Sequence, residues 1–343
     1  MKRALALLLA AFGWVAGART AEACAGCSNP NLPNVRSGNA TLAPAEFSVA
    51  LSLTGTTMNV VHEDRCPDIG PICLERDEPA QLHDQQFHSF ELRPVVAVGI
   101  TEVLGAELQL PIRMVNTSIS FRRLDGTAFE PDYESIHHRD ETLVGLADPW
   151  LLGRASARFD ELTISTRAGI GLPVGDTVED PFALGREGKS HQHIQFGTGT
   201  FFPVFAVDGS WDLSPLRLGG YGQAILYLYE NGYGYHAGNR YAGGATGDVE
   251  LFDDLRIGLG VDLLNEQPER WGGEIQQDGN VGRTDLLVGG MLSYQFGEVA
   301  TQLSLRIPAW QHFIDPGGHH RDPGQLTYPG ILSLSAQTSF NEP

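Results

Sequence analysis

From Glu161 to Gly175 the chain reads ELTISTRAGIGLPVG, and its two registers separate cleanly. One row is Leu162, Ile164, Thr166, Ala168, Ile170 and Leu172, without a charge; the other is Glu161, Thr163, Ser165, Arg167, Gly169 and Gly171. Successive side chains on a strand point to opposite faces, so this alternation predicts a strand with one apolar and one wet face. The same test finds about twelve alternating segments along the chain. They lie at 45–61, 86–101, 105–123, 146–159, 161–174, 192–207, 211–230, 240–252, 255–270, 283–296, 299–313 and 326–340. The eighth, within RYAGGATGDVELFD, alternates least. The chain therefore reads as all-β, and the strands alone fit either a soluble sandwich or a membrane barrel.

The connections decide between the two. Those after the even segments are short: EVLG around residue 103, Asp160, the DGS of 208–210, Asp253-Asp254 and Gly297-Glu298. Those after the odd segments are long and rich in His, Asp, Gly and Pro. Short turns at one end and long loops at the other, around an even number of antiparallel strands, predict a transmembrane β-barrel over residues 45–340 with periplasmic turns and extracellular loops. Phe159, Phe205, Phe296 and Phe340 fall at the short-turn ends, and Trp271, Trp310 and Tyr328 near the long loops, as two interfacial girdles would require. On this reading the Leu162 row faces lipid and the Arg167 row a lumen.

The N-terminus agrees. Residues 1–23 combine a basic start (Lys2, Arg3), an apolar run and Ala21-Glu22-Ala23 as a cleavage site, which is a secretory signal peptide. Residues 24–44, with Cys24 and Cys27, form a periplasmic segment that offers a contact to a periplasmic partner. The formal net charge is −19, and loss of Lys2, Arg3, Arg19 and Glu22 with the leader takes it to −21, which argues against nucleic acid as a partner. After residue 23 there is no long uncharged apolar run, so insertion among outer-membrane lipid has to be as a closed barrel.

Three stretches carry a family resemblance: GLADPWLLGR, GIGLPVGDT and ALGREGKSHQHIQFGTGTFFPVF. Across residues 143–207 they resemble the G-x-x-D-P, G-L-P-x-G-D and Q-F-G-x-G-x-x-x-P elements of bacterial outer-membrane channels grouped as meta-pathway phenol-degradation proteins or generic outer-membrane transporters. The terminal LSLSAQTSF is similar to the closing-strand signal of bacterial outer-membrane barrels, here overrun by Asn341-Glu342-Pro343. The resemblance implies a barrel and passive uptake of a small solute across the outer membrane of a Gram-negative bacterium.

The rows facing the lumen carry Arg93, Arg113, Arg154, Arg158, Arg167, Arg217, Arg256 and Arg306 among Glu46, Glu91, Glu107, Asp148, Glu161, Asp262 and Asp285. Such charges either select solutes in a channel or pair across strands and fill a narrow barrel. Eleven histidines fall in or beside the long loops. His138, His193 and His319 are the expected ligands if a Zn²⁺ or Cu²⁺ ion binds at the extracellular rim, imidazole suiting either metal; otherwise no cofactor is expected. Cys66 with Cys73, and Cys24 with Cys27, are the pairs expected as disulfides in an exported chain, with a redox or metal role for Cys24 and Cys27, or a lipid tether on Cys24, as the alternatives for the second pair. Enzyme signatures are lacking, with neither G-x-S-x-G nor H-E-x-x-H. A partner-binding sleeve for a redox or metal-handling protein, or a hydrolase at the rim, are the alternatives to a channel.

Overall fold

In the computed structural model the described residues are 42–64, 81–131, 135, 136, 138–276, 279–314 and 327–341. The signal peptide, the segment with Cys24 and Cys27, the Cys66–Cys73 pair and His319 lie outside them.

Twelve antiparallel barrel strands follow one another around a closed sheet. They are β1 (Glu46–Asp64), β2 (Gln81–Gly99), β3 in two pieces (Leu104–Gln109 and Ile112–Arg123), β4 in two pieces (Glu141–Leu146 and Trp150–Phe159) and β5 (Leu162–Gly171). After these come β6 (Phe202–Leu213), β7 (Leu216–Ile225), β8 (Arg240–Phe252), β9 (Leu255–Glu266), β10 (Arg283–Phe296), β11 (Val299–Phe313) and β12 (Ile331–Asn341). Closure is made by β1, which pairs with β2 on one edge and with β12 on the other, from Glu46 opposite Asn341 to Gly55 opposite Leu332. A closed sheet has no free edge, so every wall strand finds a partner on both sides.

The alternation sorts as the pattern requires. On β1, Phe47, Val49, Leu51 and Leu53 are exposed on the outside while Ser48 and Thr54 are buried within. On β5, Leu162, Ile164 and Ile170 are outside and Ser165 and Arg167 inside. Leu259 on β9 is 74% exposed, in an outer band of Val, Leu and Ile that only an apolar medium would cover.

Several boundaries differ from the pattern-based reading. The third short turn lies at Ser214-Pro215 and not at 208–210: Asp208 is buried on the inner face, ion-paired to Arg167 at 3.1 Å, and Gly209 and Ser210 stay in the ladder with β7. Phe205 consequently sits mid-strand, and Trp211, 49% exposed, stands nearer the turn. In the segment read as 192–207, residues 192–201 leave the wall and fold inside the barrel. β7 and β9 likewise stop at Ile225 and Glu266, before their expected ends, because the chain beyond turns inward. Trp271 and Tyr328 are not girdle residues: both are buried, Trp271 against Tyr235 and Phe182, and Tyr328 by donating its hydroxyl to Asp285 at 2.5 Å. Of the three expected at that end, Trp310 alone is on the outside.

The interruption between the pieces of β4 positions the site. Leu110 and Pro111 on β3 lie opposite Ala147, Asp148 and Pro149 on β4, so β4 carries one extra residue. Neither proline can donate to the ladder, and the extra residue is accommodated as a bulge. The inward row shifts from Leu143 to Trp150 and Leu152, and Asp148 is turned into the lumen.

Candidate functional site

Residues 172–201 link β5 to β6 and run through the interior rather than over the rim. Their short helix α1 (Pro181–Arg186) starts at Asp180, whose carboxylate accepts from the Phe182 and Ala183 amides at 2.9 and 3.1 Å, with Pro181 filling the first turn, where no amide is needed. The two ends of the loop are fastened to the bulge. Asp148 Oδ1 accepts from the Gly175 amide at 3.0 Å, and Oδ2 from the Thr198 amide and hydroxyl at 2.7 and 2.6 Å. Gly175 and Gly197 press together: a Cβ on Gly197 would lie 2.3 Å from the Gly175 carbonyl carbon, so neither position has room for a side chain. The D-P, G-D and G-T-G elements that carried the family resemblance thus meet in space, as a latch for this loop.

Between its fastened ends the loop crosses the lumen. Ile194 is buried against Met58 and Val60 of β1, Phe87 of β2, Val115 of β3, Leu287 of β10 and Ile331 of β12. Phe182 of α1 reaches a second apolar cluster formed by Trp150, Phe202, Ile225, Tyr227, Tyr235 and Trp271. Glu269, on the segment linking β9 to β10, is enclosed in this region; its carboxylate accepts from the Asn280 amide at 3.2 Å and the Tyr235 hydroxyl at 3.3 Å. Burial, with Glu266 adding to it, pushes Glu269 up to about 7.

The remaining interior is lined by ion pairs, and all eleven charged residues nominated for the channel face it. Glu91 accepts from Arg93 and Arg113, at 2.5 and 2.9 Å. Glu107 lies between Arg154 and Arg167, at 3.7 and 3.3 Å, and Arg167 continues to Asp208. Asp248 joins Arg217 at 3.2 Å and also Arg256, Asp262 binds Arg306 at 2.8 Å, and Asp285 binds Arg283 at 2.8 Å. The interior is therefore a ladder of separate ion-paired groups that mixes both signs rather than a field of one sign. Arg158 and Glu161 are not part of it: both are exposed at the β4–β5 turn, where Arg158 donates to the Asp160 carbonyl at 3.0 Å. Glu46 instead caps the chain entry, accepting from the Ala43 amide.

Where latch, loop and ladder meet lies a cavity of about 30 Å³, bordered by Arg93, Arg113, Asp148, Trp150, Thr198, Tyr227 and Arg240 among others. Arg93 lies over the Trp150 ring at 4.7 Å, and Arg240 near Tyr227 at 5.8 Å. Arg240, Trp150 and Tyr227 were not singled out by the sequence. Tyr227 lies in a stretch that alternates as a strand does but leaves the wall after Ile225.

Among the described histidines of the long loops, His83 with His138 and His191 with His193 form two groups. His83 and His138 are buried together, their Nδ1 atoms 2.8 Å apart. His191 contacts the Lys189 carbonyl through Nδ1 at 2.8 Å, and His193 packs edge-on against Phe182 with its pKa lowered to about 3, chiefly by burial. Among the described residues, no three His, Cys, Asp or Glu side chains converge as metal ligands would.

No family model and no curated protein matches the chain. Among solved structures, an outer membrane channel from Pseudomonas putida F1 is similar over 90% of this chain and 100% of that one, with a TM-score of 0.57 and 12% identity. A FadL homologue of Pseudomonas aeruginosa (TM-score 0.39, 12% identity, 86% and 92% covered) and the monoaromatic hydrocarbon channel TodX in a mutant form (0.41, 8%, 90% and 95%) are more distant. The likeness establishes the fold, a twelve-stranded barrel of the kind that outer-membrane channels use.

Proposed function

We propose that the protein is a passive channel for a small polar solute in the outer membrane of a Gram-negative bacterium, exported by its signal peptide and without catalytic activity. The observation that carries this reading is the loop of residues 172–201. It is held inside an apolar-skinned barrel at one latch, beside a ladder of paired charges, as a constriction should be. The convergence of the resemblance motifs on that latch supports kinship with the phenol-degradation and generic transporter channels.

Purified protein in planar bilayers should give unitary conductance steps, and Arg167→Glu or Arg256→Glu, each reversing a charge in the ladder, should change their size and ion preference. The apolar contacts of Ile194 across the lumen favour one other reading, a non-conducting sleeve that holds a periplasmic partner through the Cys24–Cys27 segment. Silent bilayers under all voltages, together with co-purification of a partner that is lost on deleting residues 24–44, would replace the channel by the sleeve.

A further inference from the structure

The charged and aromatic side chains that border the cavity at the latch are rich in donors. Arg113 uses Nε to bind Glu91 at 2.9 Å and Arg240 uses Nε to bind Glu266 at 3.1 Å, so each guanidinium is gripped from behind. Their terminal amino groups form no hydrogen bond to another described residue, nor do the Tyr227 hydroxyl and the Trp150 indole N–H. Burial, the largest influence on Tyr227, keeps its phenol protonated above the usual range and hence a donor. Of the described residues that border the cavity Asp148 alone carries a carboxylate, and both its oxygens are already taken by Gly175 and Thr198. Two guanidinium ends, a phenol and an indole face one small space that holds no free carboxylate.

The formal charges of the surrounding cluster cancel, since Arg93, Arg113 and Arg240 stand against Glu91, Asp148 and Glu266. What the cavity offers is therefore local, directed donation rather than a long-range field, which suits a ligand with acceptor-only oxygens. Its volume of about 30 Å³ corresponds to roughly two water positions, at 10–15 Å³ each. That is room for the two oxygens of one carboxylate, with the flat rings of Trp150 and Tyr227 beside it.

We propose that this cavity is a binding subsite for the carboxylate head of a small organic acid passing the constriction. The assignment rests on the channel reading, because the loop must admit the acid to the cavity.

The probe is ¹³C-labelled acetate, added to detergent-solubilised full-length mature protein at constant ionic strength with chloride as competitor, and followed by line broadening. Saturable broadening that chloride does not remove is expected, with affinity lowered at least tenfold in Arg113→Gln/Arg240→Gln. Should that double variant lose heat-modifiable migration, the milder Arg240→Lys and Tyr227→Phe variants serve, each expected to weaken acetate severalfold. No saturable broadening, equal affinity in the variants, or full displacement by chloride overturns the subsite. Bilayer recordings in acetate separate this from the channel itself. Conductance steps without saturable acetate binding leave the channel and remove the subsite; saturable binding with silent bilayers leaves the subsite and removes the channel.

Discussion

Replacing Asp148 by Ala tests the latch directly. The substitution removes the acceptor of three hydrogen bonds, from the Gly175 amide and from the Thr198 amide and hydroxyl, all at 3.0 Å or less. Each is charge-assisted, and a buried donor left without its acceptor costs about 1–3 kcal/mol. The Thr198 hydroxyl can turn to the Thr200 carbonyl, 3.3 Å away, and water can reach the adjoining cavity, so the net loss is about 3 kcal/mol and not the full sum. At about 1.4 kcal/mol per factor of ten, the released state of the loop should become roughly 100-fold more populated. The barrel wall should be untouched, because its ladder does not use the Asp148 side chain. Two assays report the outcome. Single-channel traces should show a larger or noisier open level, and cleavage by a lysine-specific protease should accelerate at Lys189, the single lysine after residue 23, which lies in this loop. Asp148→Asn, which keeps one acceptor oxygen, should fall between wild type and Ala. If Asp148→Ala matches wild type in both conductance and cleavage rate, the loop is held elsewhere and the latch is refuted.

Two further outcomes follow from the outer band and the loop interior. Leu259→Arg should destabilise the reconstituted barrel by about 2–4 kcal/mol in urea unfolding, since an arginine on the lipid face near mid-strand costs that much; an unchanged midpoint would mean that this face does not meet lipid. Glu269 has its folded pKa raised to about 7, so its contribution to holding the loops is full below about 4.5 and is lost as pH rises to 7. His193, lowered to about 3, acts with the opposite sign: its contribution is present above about 6.5 and is lost as pH falls toward 3. The protection factors of residues 172–201, that is, hydrogen-exchange rates divided out by the intrinsic amide rate at each pH, should therefore be highest near pH 5–6; Glu269→Gln should flatten the fall on the alkaline side and His193→Phe that on the acid side, and a profile unmoved by both would refute the assignment.

The wall was legible in the sequence because its physics is local. A strand with lipid on one face and polar groups on the other must alternate, and Leu162 to Ile170 do so with Thr166 as the one polar residue in the outward row. The interior was less legible because strand-like alternation does not reveal which segments pair. Residues 192–201 and 226–230 alternate well enough, yet the first is drawn to the bulge at Asp148 and the second to Trp150 and Trp271. Trp271 and Tyr328 failed as girdle residues for a related reason: an aromatic near a strand end serves equally at a lipid interface or in a packed lumen, and only the tertiary contacts distinguish them. The shifted third turn did carry a signal, since Pro215 cannot donate to a ladder whereas Asp208 can point inward to Arg167.

The bulge at Ala147-Asp148-Pro149 connects the two kinds of information. A regular β4 would keep one row inward throughout and leave Asp148 in the wall; the extra residue reverses the row and delivers one carboxylate to the lumen at the height of the cavity. Pro111 and Pro149 make that irregularity favourable by removing amides that a continuous ladder would need. With the carboxylate there, Gly175 and Gly197 close against each other, which fixes both ends of the loop at the bulge while Ile194 and Phe182 pack its middle into the interior. On this logic the short glycine- and aspartate-containing elements specify where the constriction sits, and Arg113, Arg240, Trp150 and Tyr227, contributed by the wall and a second loop, specify what it meets.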